Sequence, residues 1–396
     1  MDSSRKNKRL FIDEKVLSTL AMLKAGLFAP ITKLMTQKEA DEVDETKMYK
    51  GISFPFSCIL APNGKKNTIT LENAQIGETI DLINKNKKVG EIVLDEIFKI
   101  NTKQRLHNIY GTNDTSHPGV KNTSKRLGEL AICGDYTVEY PLIKDGIQRI
   151  KAMREKLNAS FVSSMMLSAN PLNRSHERII RQVISDTDLL VLFLRKPFTS
   201  DGLSYDIRYD ALMKFIENFL PQNKVIVIPF ENSYIYSGYN ELLIDAIISK
   251  NFGCDQLVIG KNHGGLGLYY DNNKLNSIFD HANRLDIHIK TIDEYVYCNV
   301  CNTLVSTQTC PHGQHHHIHY QSEAILKLIQ SGLIPPSILV RKEVSANILA
   351  SLFPDRFDNL QSVYYSLLPS SGLLEEPSQE QFYLKLIELY QTSSLN

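Results

Sequence analysis

At 396 residues the chain has room for two or three domains. Its 44 Lys plus Arg equal its 44 Asp plus Glu, which argues against a protein that coats nucleic acid but leaves a local basic pocket open. No apolar run could span a bilayer, and the charged start from Met1 to Arg9 leads into no apolar signal core. A cytoplasmic protein without membrane contact is therefore expected.

Residues 1–155 carry short strand-like runs at 53–60, 68–71, 79–82 and 89–100, separated by Gly, Pro, Asn and Asp. This predicts a β-rich domain, a small barrel. Residues 156–320 alternate instead. Strands are predicted at 161–167, 189–194, 225–229, 257–260 and 287–291, with helices at 171–185, 207–219, 240–251 and 273–283. These strands are nearly continuous in Val, Ile and Leu, as strands buried on both faces are. The expected class is α/β, with a doubly wound parallel sheet. Such sheets bind ligands at the carboxyl ends of their strands, where Asn170 and the turn from Gly260 to Gly265 both fall. The tail, 321–396, is predicted to be a small helical domain, with helices at 323–331, 345–352 and 379–390.

The stretch Asn170-Pro171-Leu172-Asn173-Arg174-Ser175-His176-Glu177 joins a strand to a helix. Pro171 suits a first helical turn, where its missing N–H costs nothing. Free backbone N–H groups and the positive helix end would favour a phosphate or a similar anion. Asn173 and His176, three apart, share one face, and Arg174 adds a fixed charge. The plainer reading is a solvated helix start whose histidine is satisfied locally. A second loop, Gly260-Lys261-Asn262-His263-Gly264-Gly265, offers close backbone approach together with Lys261 and His263 as donors.

Six cysteines in a chain of this length are no disulfide framework. Cys298, Cys301 and Cys310 are followed by His312, His315, His316, His317 and His319. A Cys-x2-Cys turn fits two thiolates on one tetrahedral zinc; Cys310 supplies a third, and one histidine closes a structural site. By reach the fourth ligand is His315 or His316, with His315 taken as the choice. The alternative is a loop of reduced cysteines beside a solvated histidine run.

The order of motifs from about residue 26 to 355 resembles the ATP sulfurylase (sulfate adenylyltransferase) family. Gly26-Leu27-Phe28-Ala29-Pro30 is similar to its "GxFSPL", and residues 110–120 closely resemble its "GTxDxxHPGV" segment. Residues 240–254 resemble its "REAxxHAxxRxNxG" helix, Gly260 to Gly265 its "GRDHAG", and Cys310-Pro311-His312 the "CPH" of its zinc-bearing members. The resemblance implies a PUA-like β domain (1–155), a Rossmann-like nucleotidyltransferase domain (156–320, with a zinc-binding segment at 297–319) and a C-terminal domain. It implies a reaction that joins sulfate to the α-phosphate of ATP, brought in with Mg2+, and releases pyrophosphate. It also implies a homodimer or a larger ring, with a nucleotide and a small oxyanion or other small acceptor as partners; nucleic acid is not expected, given the charge balance.

In the family these steps fall on "QTRNPxHRAHE". Its Gln and Arg bind sulfate, its Thr, Arg and Asn surround the α-phosphate, and its two His meet the phosphates. Carried onto this chain, Ser168, Asn170 and His176 take the catalytic positions, while Leu167, Ala169 and Gly264 fall at the acceptor. The nucleotide positions are Asn170, Asn173, Arg174, His176, Gly260, Lys261, Asn262 and His263. Leu167 stands for the Gln, Ser168 for the Thr, Ala169 for the Arg and Asn173 for the first His. The family's "RYAGPREA" loses both arginines, and its "SGTxxR" loses Thr and Arg. Sulfate-holding residues are thus replaced while nucleotide-cradling ones are partly kept. Two readings follow: an adenylyltransferase whose acceptor is sulfate or a related molecule, with a pocket that prefers something other than free sulfate, or a non-catalytic, nucleotide-binding-only homologue acting as a scaffold or partner.

Overall fold

The computed structural model describes residues 7–195, 202–230, 240–260, 285–357, 359–368 and 376–392. Two compact units emerge. One comprises Met1–Met166, Val191–Arg195 and Ile226–Thr291; the other comprises Leu167–Leu190, Lys196–Val225 and Ile292–Asn396.

The first unit opens with a five-stranded sheet in the order Lys8–Phe11, Thr79–Asn84, Lys87–Lys99, Leu127–Val138, Leu60–Pro62. Its long antiparallel ladder, 87–99 against 127–138, requires a glycine at Gly90: a Cβ there would meet the Thr137 carbonyl oxygen at 2.0 Å. The expected strand at 68–71 is instead part of a helix, Lys65–Glu72. Only Leu71 of those four residues is buried, and Ile69 is half exposed. The Asn67 side chain fixes the helix by bonding both backbone groups of Phe11, so tertiary contacts override β-branched propensity. Five further helices, Glu14–Lys24, Gln37–Thr46, Thr102–Tyr110, Pro118–Ser124 and Pro141–Leu157, have no counterpart among the predicted elements. Their caps are nonetheless written locally: Thr36 and Glu39 form a capping box, and His117 caps the helix that Pro118 begins.

The second sheet, whose strand bodies belong to this unit, runs Val225–Phe230, Leu189–Arg195, Val162–Leu167, Gln256–Gly260, His288–Ile292. All five predicted strands are present, each displaced by no more than one residue at either end. Leu189 through Leu194 are completely buried, as the unbroken apolar run requires. Gln256–Gly260 pairs parallel with Val162–Leu167, so both strands end at the same sheet edge. Phe252, from the helix Glu241–Asn251 and its C-cap, packs on Phe193 with ring centroids 4.9 Å apart. The predicted helix at 273–283 lies outside the described residues.

The second unit is largely helical: Arg174–Ser185, Tyr205–Phe219, Ser322–Gln330, Lys342–Leu352, Leu360–Leu367 and Gln379–Thr392. Lys342–Leu352 packs against both Tyr205–Phe219 and Gln379–Thr392. A small antiparallel sheet, Thr303–Ser306, Tyr295–Cys298 and His317–Ile318, carries the cysteine cluster. Among the described residues no helix is long and apolar enough to cross a membrane.

Candidate functional site

The strand Val162–Leu167 feeds a loop that turns sharply at Ala169, whose φ of 48° lies in the left-handed region. Strain of this kind concentrates at functional loops. The helix then begins at Arg174, not in the turn holding Pro171, which precedes it. The reason is a strong cap. The Asn173 Oδ1 accepts the His176 N–H at 3.1 Å, and the Asn173 N–H donates back to His176 Nδ1 at 3.2 Å. This is a capping box with histidine in the place usually held by Glu or Gln.

That box fixes the chemistry of His176. Nδ1 accepts, so the ring proton sits on Nε2. Burial pushes the imidazole pKa down to about 4, which leaves His176 neutral near pH 7. It is therefore a fixed N–H donor and not a cation.

The expectation of free backbone N–H groups is largely overturned. The N–H of Arg174 is taken by Leu339 O, that of Glu177 by Asn173 O, and those of Asn173 and His176 by each other's side chains. Only the Ser175 N–H in this turn has no partner among the described residues. Arg174 is not a free cation either. Its Nη1 donates to the buried Glu177 carboxylate and its Nε to Ser337 O. A carboxylate held in the interior demands such a partner.

Asn170 accepts the Leu203 N–H at 2.8 Å through Oδ1, which leaves its amide NH2 as a donor. Ser168 contributes its carbonyl to the fully buried Arg208, which also binds Leu203 O, so Arg208 staples the loop from behind. The side chains of Leu167 and Ala169 are 4% and 1% exposed; both are turned into the protein and offer an anion nothing. Gly260 is exposed with open space where a Cβ would stand. Lys261, Asn262, His263 and Gly264 lie outside the described residues.

In the small sheet, Cys298, Cys301, Cys310 and His312 place their ligand atoms within 4.8 Å of one another. The fourth member is His312, not His315 as the sequence suggested. Its Nδ1 lies 3.2, 3.5 and 3.6 Å from the sulfurs of Cys301, Cys298 and Cys310, and Cys301 and Cys310 are 3.9 Å apart. Zinc bonds of about 2.3 Å to sulfur and about 2.0 Å to nitrogen give tetrahedral edges of about 3.5–3.8 Å. Three thiols and an imidazole at this spacing therefore fit the ion. His315 instead packs against His316, the rings tilted by 47° with centroids 4.0 Å apart, within the turn Gln314–His316, and His316 is bonded to Asn299. Burial opposes charge on Cys298, yet the N–H groups of Cys301 and Val300 hold its thiol below the ordinary value.

With this geometry in view, comparison with known proteins is decisive. Residues 146–351 match the model of the ATP-sulfurylase family, and residues 1–139 that of a PUA-like domain. The chain belongs to the ATP-sulfurylase family. A relative from Microcystis aeruginosa named sulfate adenylyltransferase is 27% identical over 368 residues, covering 88% of this chain and 91% of its own. One of the same name from Synechococcus sp. (strain JA-3-3Ab) is 28% identical over 366 residues, covering 88% and 90%. Among solved structures, a chain described as a hexameric APS kinase from Thiobacillus denitrificans superposes with a TM-score of 0.66 at 16% identity. That match covers 89% of this chain but 64% of that one, and it speaks to fold alone.

The fold is thus a PUA-like domain followed by the Rossmann-like α/β body of a nucleotidyltransferase family, with a helical C-terminal part. Within this family pattern the chain is divergent. At the start of the helix Glu241–Asn251, Asn240 donates to Asn108 O and Ile109 O, while Asp245 pairs with Arg195. Two further residues escape reasoning from sequence: Arg208 and Arg341. Arg341 meets Glu177 across 164 residues of chain, and no local spacing announces that contact.

Proposed function

We propose that this protein is an adenylyltransferase that binds ATP, carried in with its magnesium ion, at the loop from Ser168 to Glu177. The acceptor oxygen attacks the α-phosphorus, the bond to the bridging oxygen breaks, and pyrophosphate leaves. Asn170 and His176 are the residues that touch the phosphates, through one amide NH2 and one Nε2–H. Asn173 holds His176 in place. The observation that carries this reading is the neutral His176, held by its cap in the tautomer whose other ring nitrogen, Nε2, can only donate. Such preorganised donors need no rearrangement when charge develops.

Free sulfate is a poor acceptor on this reading. Leu167 and Ala169 are buried and apolar, and a dianion set against such side chains costs several kcal/mol to desolvate. Pyrophosphate release from ATP, measured against sulfate and a panel of other oxyanions and small nucleophiles, tests it. Turnover with a non-sulfate acceptor is expected, and tight competitive sulfate binding would overturn the acceptor assignment. One observation favours a nucleotide-binding scaffold instead: most N–H groups of the first helical turn are already satisfied. ATP binding without pyrophosphate release from any acceptor would support that alternative.

We also assign structural zinc to Cys298, Cys301, Cys310 and His312. Purified protein should contain about one zinc by elemental analysis, H315A should keep it, and H312A should lose most of it. Full retention by H312A would remove His312 from the site.

A further inference from the structure

We propose that Arg341 sets the charge of the nucleotide site, acting as a positioning residue through Glu177 and Arg174. This rests on the adenylyltransferase reading above. Arg341 precedes the helix Lys342–Leu352 and grips Glu177 with a fork: Nη2 to Oε2 at 2.8 Å, and Nε to both carboxylate oxygens at 3.1 and 3.2 Å. Its guanidinium lies 3.9 Å from the Phe219 ring centre, which shields one face from water. Glu177 in turn holds Arg174, at the first position of the helix that bears His176.

Two guanidinium charges and one carboxylate leave one positive charge in this cluster. Without Arg341, Glu177 would cancel Arg174 completely. The helix start would then offer an anion only neutral donors. The same segment is stitched to the helix by Arg174 N–H to Leu339 O and Arg174 Nε to Ser337 O, and Tyr320 OH secures Ile338 O. C-terminal residues thereby supply charge to a loop more than 160 residues earlier.

The test is ATP binding by titration calorimetry at two salt concentrations. R341Q should weaken ATP binding about tenfold, a shift expected for one charge near a polyphosphate at intermediate dielectric. It should also flatten the salt dependence. The double variant E177Q/R341Q restores one net positive charge through Arg174 alone. Its affinity should return to within about threefold of wild type, although both partners of the fork are gone. A purely structural fork predicts the reverse, with the double variant as weak as R341Q or weaker, and that result overturns the proposal. Unchanged affinity in R341Q also overturns it while leaving the ATP reading intact. A wild-type protein that binds no ATP removes both.

Discussion

At the start of the helix Arg174–Ser185 two arginines share one carboxylate, whereas at the start of Glu241–Asn251 two carboxylates share one arginine. The first trio, Arg174, Arg341 and Glu177, sums to one positive charge; the second, Arg195, Glu241 and Asp245, holds two carboxylates to one arginine. Their exposure differs as sharply as their sign. The arginine side chains of the first trio are 30% and 17% exposed, but in the second trio no side chain exceeds 6%. The same residue types thus serve different ends. A partly wet, positive helix start beside neutral donors suits a polyanion, and a sealed, carboxylate-rich one fastens a helix to the sheet.

The largest effect expected from this contrast is at the sealed trio. R195M would leave two buried carboxylates without their arginine, and breaking a buried pair in this way costs about 3–5 kcal/mol. Urea unfolding should show the loss as a lower midpoint at unchanged slope. A change below about 1 kcal/mol would mean that the trio is hydrated and the contrast false. The wetter trio should respond less. E177Q leaves Arg174 and Arg341 facing one another, but both reach solvent, so a cost of about 1–3 kcal/mol is expected. It should also tighten ATP binding, because the cluster gains a charge. Weaker binding in E177Q would show that Glu177 acts by geometry alone.

These two trios mark the limit of what the chain discloses before folding. The buried strands could be read because each of their residues faces the core, so an unbroken run such as 189–194 needs no partner to be recognised. Arg195 reads only as the charged end of that run; its partners lie 46 and 50 residues onward. Arg341 lies 164 residues from the carboxylate it grips, a separation that no local pattern bridges. The N-terminal helices were obscured because strand-like triplets and helix faces coincide in short mixed segments such as 65–72. At the zinc cluster the three cysteines followed from spacing. The choice among five histidines depended on the path of the chain after Pro311, which brings His312 back to the thiols and leaves His315 packed against His316. At the helix start, Asn170 and His176 were legible as candidates, but the capping box that consumes the backbone N–H groups was not, since histidine is an unusual partner in it.

The subtlest expected effect concerns that box. His176 has a folded pKa of about 4 against an ordinary value of 6.5. Its folded-state pKa is depressed, so the stability it contributes is present above pH 6.5 and is lost as pH falls from there towards 4. The full loss is at most about 3 kcal/mol, reached below about pH 4. In H176Q the side-chain oxygen can accept the Asn173 N–H, as Gln does in an ordinary box, and its NH2 then points where Nε2–H did. H176Q should therefore keep ATP affinity within a few-fold and lose the part of the acid limb that His176 supplies. H176A, which removes both bonds, should weaken ATP binding about tenfold, the worth of one good hydrogen bond. Equal losses in the two variants would mean that the ring itself, and not simply a neutral donor, is what the nucleotide site requires.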